Sequence, residues 1–147
     1  MKISDIRSAS KFRQTALLID DQPTVLDIHA AILKSLKLNL KIVAMTNPIE
    51  ALEWMQNKQV DLIITDFRMH QMNGMQFVEA INNASNAPPK PIVVVTALKD
   101  TKLKQELLAA GAAAYLTKPV DAEELASIAQ KLLEQSKLLY NLNLSAG

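Results

Sequence analysis

Short apolar runs alternate with amphipathic stretches five times along this chain, and that rhythm leaves few architectures open. The runs are Ala16-Leu17-Leu18-Ile19, residues 40–45, 60–65, Ile92-Val93-Val94-Val95 and 112–116. Strand-like runs separated by helix-length stretches predict an α/β protein with a parallel sheet. The runs are apolar on both sides, so helices are expected on both faces. Right-handed crossovers then follow almost without exception.

Helix boundaries are written in the polar punctuation. Pro23 suits the first turn of a helix, where its missing N–H costs nothing. Val25, Ile28, Ile32 and Leu36 recur behind it at helical spacing. Asn47-Pro48 opens a second helix carrying Ala51, Leu52 and Met55. Residues 67–73 form a loop that leads through Gly74 into a third, with Phe77, Val78 and Ile81. Residues 82–91 are polar and proline-rich and read as a loop. Asp100 or Thr101 can cap the fourth helix, and Gly111 fits its C′ position. Asp121 can cap the fifth, with Glu123 and Glu124 favouring its positive end.

At 147 residues the chain suits one compact domain. Sixteen Lys and Arg against 15 Asp and Glu give a formal charge of +1, too little for a broad field gripping nucleic acid or an anionic membrane. There is no cysteine, which excludes disulfides, thiolate zinc sites and cysteine nucleophiles. Three glycines cannot build a phosphate-binding Walker loop or a dinucleotide turn. No run reaches the ~20 apolar residues of a membrane span, and no secretory core is visible, so a cytoplasmic location is expected.

Polar residues follow four of the apolar runs: Asp20-Asp21, Asp66, Thr96 and Lys118. Alone, each has an ordinary explanation: a helix cap, a turn former, a strand-end threonine, a solvated lysine. Jointly they fall where open parallel sheets bind ligands, beyond the carboxyl ends of the strands. Three crowded carboxylates would repel and raise one another's pKa. A hard divalent cation such as Mg²⁺ relieves that conflict with oxygen ligands at ~2.0–2.1 Å. Asp66, alone at its strand end, is the better nucleophile candidate. A carboxylate attacking phosphorus gives an acyl phosphate, which Mg²⁺, the Lys118 ammonium and the Thr96 hydroxyl would stabilise during transfer.

Leu17-Leu18-Ile19-Asp20-Asp21, Leu62-Ile63-Ile64-Thr65-Asp66-Phe67-Arg68-Met69, Gly74, Val94-Val95-Thr96-Ala97, Gly111-Ala112, Tyr115 and Lys118-Pro119 together resemble the receiver domains of two-component response regulators. The resemblance implies a flavodoxin-like, doubly wound (βα)5 fold with strand order 2-1-3-4-5. It implies that Asp66 accepts phosphate from a histidine kinase or histidine phosphotransfer protein. Asp21, Asp66 and the Arg68 backbone carbonyl would ligate Mg²⁺, with Asp20 acting through water. Lys118 would contact the phosphoryl group across a cis Lys118-Pro119 peptide. Thr96 and Tyr115 would form the switch, changing partner preference at the face made by helix four, strand five and helix five. His70 departs from the family, which usually has proline there; a surface histidine without a role is the simpler reading. Arg68 is expected to meet the phosphodonor or mask the site, and the small Ala97 should leave access open.

The expected divisions are an N-terminal extension (1–14), a receiver domain (15–135) and a C-terminal helix extension or tail (136–147). For the tail, a fraying helix end is preferred over a helix that pairs with another subunit or leads to an output domain. The chain carries no DNA-binding output of its own on this reading. Its partners would be the phosphodonor and a downstream protein target or separate output domain; a homodimer stays open, and direct nucleic-acid or membrane contact is not expected. Two rivals remain. A degenerate receiver would only bind proteins, but all five polar residues are present. An aspartate-nucleophile phosphatase needs a second aspartate two residues past the nucleophile, where this chain has Arg68.

Overall fold

A computed structural model of the chain describes residues 13–84 and 90–146. Most of the N-terminal extension and the centre of the 82–91 loop lie outside the described residues. The strands are β1 (Gln14–Ile19), β2 (Leu40–Met45), β3 (Leu62–Asp66), β4 (Ile92–Thr96) and β5 (Ala114–Thr117). The helices are α1 (Pro23–Lys34), α2 (Pro48–Met55), α3 (Gly74–Asn83), α4 (Thr101–Ala109) and α5 (Ala122–Ala146). All strand pairs are parallel, in the order β2-β1-β3-β4-β5. This is the doubly wound α/β fold expected from the sequence.

Strand side chains alternate between two cores. Leu17, Ile19, Ile63, Ile92, Val94 and Tyr115 face Ala51, Met55, Phe77, Val78, Ile81 and Leu107 of α2, α3 and α4. Ala16, Leu18, Leu62, Ile64, Val93 and Val95 face Leu26 and Leu33 of α1 and Leu125, Ala129 and Leu133 of α5.

The caps form as their residues dictate. Asn47 accepts from the Ile49 and Glu50 N–H groups, Asp100 from Leu103 and Asp121 from Glu124. Asn73 and Gln76 close a reciprocal capping box on α3. Gly74 brings its N–H to the Phe67 carbonyl at 2.7 Å. A Cβ there would lie 3.0 Å from the Phe67 Cα, so glycine lets the loop after Asp66 close tightly.

Three sequence expectations need correction. In α1 the buried residues are Leu26, His29 and Leu33; of the periodic set Val25-Ile28-Ile32-Leu36, Ile32 and Leu36 pack partly buried against the core and Ile28 is 51% exposed. Apolar residues border both sides of that face, so periodicity alone does not choose between neighbouring stripes. β5 begins at Ala114 rather than Ala112, because the Ala112 N–H closes the end of α4 on the Leu107 carbonyl.

The third concerns the tail: α5 does not fray near residue 135 but runs unbroken to Ala146, a length of about 37 Å at 1.5 Å per residue. Polar clamps hold its middle. The Gln14 amide donates to the Leu133 carbonyl at 2.8 Å, and the Ser136 hydroxyl donates to Asp61 at 3.1 Å. Asp61 is itself buried and takes the Thr15 N–H at 2.8 Å.

Gly111, with φ +114°, turns the chain from α4 into β5, and a Cβ there would lie 2.5 Å from the Asn82 side-chain nitrogen. That amide is engaged with the Ala110 carbonyl. Gly111→Ala should therefore destabilise the fold by roughly 1–3 kcal/mol in denaturant titration. An unchanged midpoint would mean that the turn relaxes without cost.

Candidate phosphoacceptor site

The register of the sheet assembles the site. Ile19 lies beside Thr65, so Asp20 and Asp66 leave adjacent strands together. Asp66 pairs with Val95, and Thr96 with Thr117, which brings Lys118 to the same edge. The Lys118 N–H then binds the Thr96 carbonyl at 2.8 Å, and the Lys118-Pro119 peptide is cis. Residues 20, 66, 96 and 118, far apart in sequence, meet at the carboxyl ends of β1, β3, β4 and β5. Asp21, Gln22, Asp66, Arg68, Thr96, Ala97, Leu98 and Lys118 line an open cleft of ≈ 320 Å³.

Three carboxylates crowd its floor. Asp20, Asp21 and Asp66 each offer an oxygen within 4.8 Å of the others. Asp20 is fully buried and accepts the Gln22 N–H at 2.9 Å. The Lys118 ammonium is shared unequally: Nζ lies 2.8 Å from Asp20 Oδ2 and 3.3 Å from Asp66 Oδ1. Asp66 also accepts the Phe67 N–H at 2.8 Å. Burial pushes the Asp66 carboxyl above its ordinary pKa, and the Asp20 charge adds to this, against the pull of Lys118 and the Phe67 N–H. Burial acts to lower the Lys118 ammonium, but its bond to Asp20 and the charge of Asp66 outweigh that and raise it. Lys118 thus stays charged and chiefly neutralises Asp20, and Asp66 is left under-compensated.

An all-oxygen donor set beside an under-compensated carboxylate fits a hard divalent cation. The test is met by Asp20, Asp21 and Asp66 together. Arg68 and Ala97 both line the cleft.

Thr96 is buried at the cleft, and its Oγ1 accepts the Leu98 N–H at 3.2 Å. Tyr115 is buried at 9% exposure, and its hydroxyl donates to the Leu98 carbonyl. One backbone residue therefore holds both the hydroxyl and the aromatic ring. Sequence reading passed over Leu98 because its role lies in main-chain atoms. It also passed over His29, an apparent helix-face residue that is buried on α1. Burial lowers the His29 pKa; nearby Asp20 opposes that and Lys118 reinforces it. His70 is 85% exposed, with Nε2 3.6 Å from Asp21 Oδ2.

Comparison with known proteins agrees with this geometry. Residues 16–130 match the family described as the response regulator receiver domain. The chain is 31% identical over 121 residues to response regulator Rre1 of Synechocystis, covering 82% of this chain and 52% of that protein. It is 34% identical over 118 residues to the sensor histidine kinase GacS of Pseudomonas protegens, covering 78% of this chain and 13% of that protein. It is 28% identical over 118 residues to the cyclic di-GMP phosphodiesterase response regulator RpfG of Xanthomonas campestris, covering 80% of this chain and 31% of that protein. The chain thus spans about half the length of these relatives or less. Among solved structures, chemotaxis response regulator CheY4 of Vibrio cholerae superposes with TM-score 0.73 at 29% identity, covering 83% of this chain and all of that one. The signal receiver domain of a LuxO repressor protein from Vibrio parahaemolyticus shares the fold at TM-score 0.81 and 24% identity, covering 89% and 98% of the two chains. Relatives of this segment occur in both histidine kinases and response regulators. The chain belongs to the response regulator receiver domain family.

Proposed function

We propose that this protein is a phosphorylation-dependent signalling switch in which Asp66 accepts a phosphoryl group from the phosphohistidine of a histidine kinase or phosphotransfer protein. The observation that carries this reading is the convergence of Asp66 with Asp20, Asp21 and Lys118, the lysine 3.3 Å from the acceptor. In the step, an Asp66 oxygen bonds to phosphorus as the P–N bond breaks. The departing imidazole nitrogen keeps the electron pair. Mg²⁺, when bound, neutralises phosphoryl oxygens and the acidic floor. Asp21, Asp66 and the Arg68 carbonyl would hold it, with Asp20 acting through water. Lys118 and the Thr96 hydroxyl meet the transferred group, and hydrolysis by water slowly resets the site. Receiver domains are signalling modules, and we assign no turnover on an outside substrate.

The response is routed through Leu98. A phosphoryl group adds roughly −2 charge at Asp66. Drawing the Thr96 hydroxyl toward it releases the Leu98 N–H, whose carbonyl also holds Tyr115. The altered surface is the α4-β5-α5 face, where a downstream protein or output domain would bind. We assign residues 15–135 to the receiver, with α5 continuing beyond it, and place the protein in the cytoplasm with its phosphodonor. No described helix is long and apolar enough to cross a membrane.

Acetyl phosphate or phosphoramidate with Mg²⁺ should label the wild type stably and leave Asp66→Asn unlabelled. Rapid release of phosphate would favour a phosphatase, and no labelling would favour a receiver that only binds proteins.

Metal binding and stability are linked. Mg²⁺ at ten times its Kd should raise stability by about 1.4 kcal/mol, and Asp21→Asn should lose that increment. A wild type with no Mg²⁺-dependent shift in melting temperature would refute the cation site.

Without metal, Asp66→Asn should melt above the wild type at neutral pH. The folded-state pKa of Asp66 is raised, so its ionisation costs stability above that pKa. The gap should close as pH falls through the folded value towards the unfolded one, where both states carry the proton. A gap that persists in acid would show that charge is not its cause.

A further inference from the structure

The loop that carries Asp66 into α3 places one nitrogen ligand beside the acidic floor. His70 Nε2 stands 3.6 Å from Asp21 Oδ2, and its side chain is 85% exposed. Ligand atoms on neighbouring vertices of one octahedral ion, each about 2.1 Å from the metal, lie about 3.0 Å apart. His70 and Asp21 are within about 0.6 Å of that separation, a closure an exposed side chain makes by rotation. The Asp20, Asp21 and Asp66 oxygens already lie within 4.8 Å of one another.

We propose that His70 is a further ligand of the cation site, supplying an imidazole nitrogen that selects a first-row transition ion in the Mn²⁺ to Ni²⁺ range over Mg²⁺. Mg²⁺ is a hard ion that keeps oxygen ligands and water. Imidazole favours borderline ions, increasingly along the series from Mn²⁺ to Ni²⁺. Asp21, Asp66, the Arg68 carbonyl and one imidazole make a mixed oxygen and nitrogen set, with Asp20 acting through water and further water completing the octahedron. His70 joins no reaction step here; it sets which ion the carboxylates share. The inference rests on the reading of Asp20, Asp21 and Asp66 as a cation site.

The full chain, titrated with Co²⁺ and separately with Mg²⁺ by calorimetry, tests it in wild type, His70→Ala and Asp21→Asn. In His70→Ala the Co²⁺ affinity should fall by about tenfold or more, and the Mg²⁺ affinity should move by less than about twofold. The Co²⁺-loaded wild type should also show a contact-shifted imidazole N–H proton resonance that is missing from His70→Ala. The chain has two histidines, and His29 is buried and unchanged in that variant, so the lost signal belongs to His70. Equal Co²⁺ affinity in wild type and His70→Ala, without a contact-shifted resonance, would overturn the inference and leave His70 an ion-pair partner of Asp21. Weakening of both ions in Asp21→Asn would show that the cation site itself stands in that event. No effect of Asp21→Asn on either ion would sink the site and the His70 inference together.

Discussion

Everything at the carboxyl edge of the sheet follows from a charge imbalance: three carboxylates gathered around one ammonium. Parallel pairing fixes the imbalance, since the β1–β3 register sends Asp20 and Asp66 out side by side. Lys118 could have relieved either. It lies nearer the buried Asp20, at 2.8 Å against 3.3 Å for Asp66. The better-buried carboxylate takes the stronger bond, because an unpaired charge costs most where water cannot reach it. Asp66 is left partly open, raised in pKa and facing the cleft. The proposed acceptor role needs that condition: fully paired Asp66 would be inert, and fully exposed it would have no electrostatic use for a cation.

The same edge is linked to the α4 side of the domain through the main chain of one residue, Leu98. Thr96 Oγ1 takes the N–H of Leu98, and Tyr115 gives its hydroxyl to the Leu98 carbonyl. A hydroxyl cannot hold that amide and turn wholly toward a new anion at Asp66. On the proposed switch, a charge added there would compete with the resting position of Leu98, and Tyr115 would feel the result. Population shifts need a difference in free energy between two states, and these two bonds are where that difference would be written.

The fold was legible because it depends on alternation. Strand runs, caps at Asn47, Asp100 and Asp121, and the Gly111 turn are local signals, and the structure keeps them. The convergence of Asp20, Asp21, Asp66, Thr96 and Lys118 was also legible, because parallel strands bring their ends to one edge. Whatever depended on tertiary choice was not. The face α1 turns to the sheet is centred on Leu26 and Leu33, with Ile32 and Leu36 at its border, rather than on the stripe with the cleanest spacing. Leu98 acts through main-chain atoms that any residue would supply. The persistence of α5 depends on Gln14, distant from Leu133 by 119 positions. No local pattern announces a bond of that range.

Asp61 and Asp66 sit at opposite ends of β3 and show how donor supply separates structure from function. Asp61 is the more buried, yet both its oxygens are served: Oδ2 by the Thr15 N–H, Oδ1 by Ser136 and by Gln59 at 3.4 Å. Its charge is spread over fixed protein donors, and its effect is to tie β1, β3 and α5 together at the amino edge. Asp66 has one backbone N–H and a lysine committed more closely elsewhere, both on Oδ1. Two aspartates at the two ends of one strand thus differ less in burial than in how completely the protein answers them. A buried carboxylate supplied with donors acts as a fastener. One that receives fewer protein donors, at an open cleft, is suited to the acceptor role proposed for Asp66.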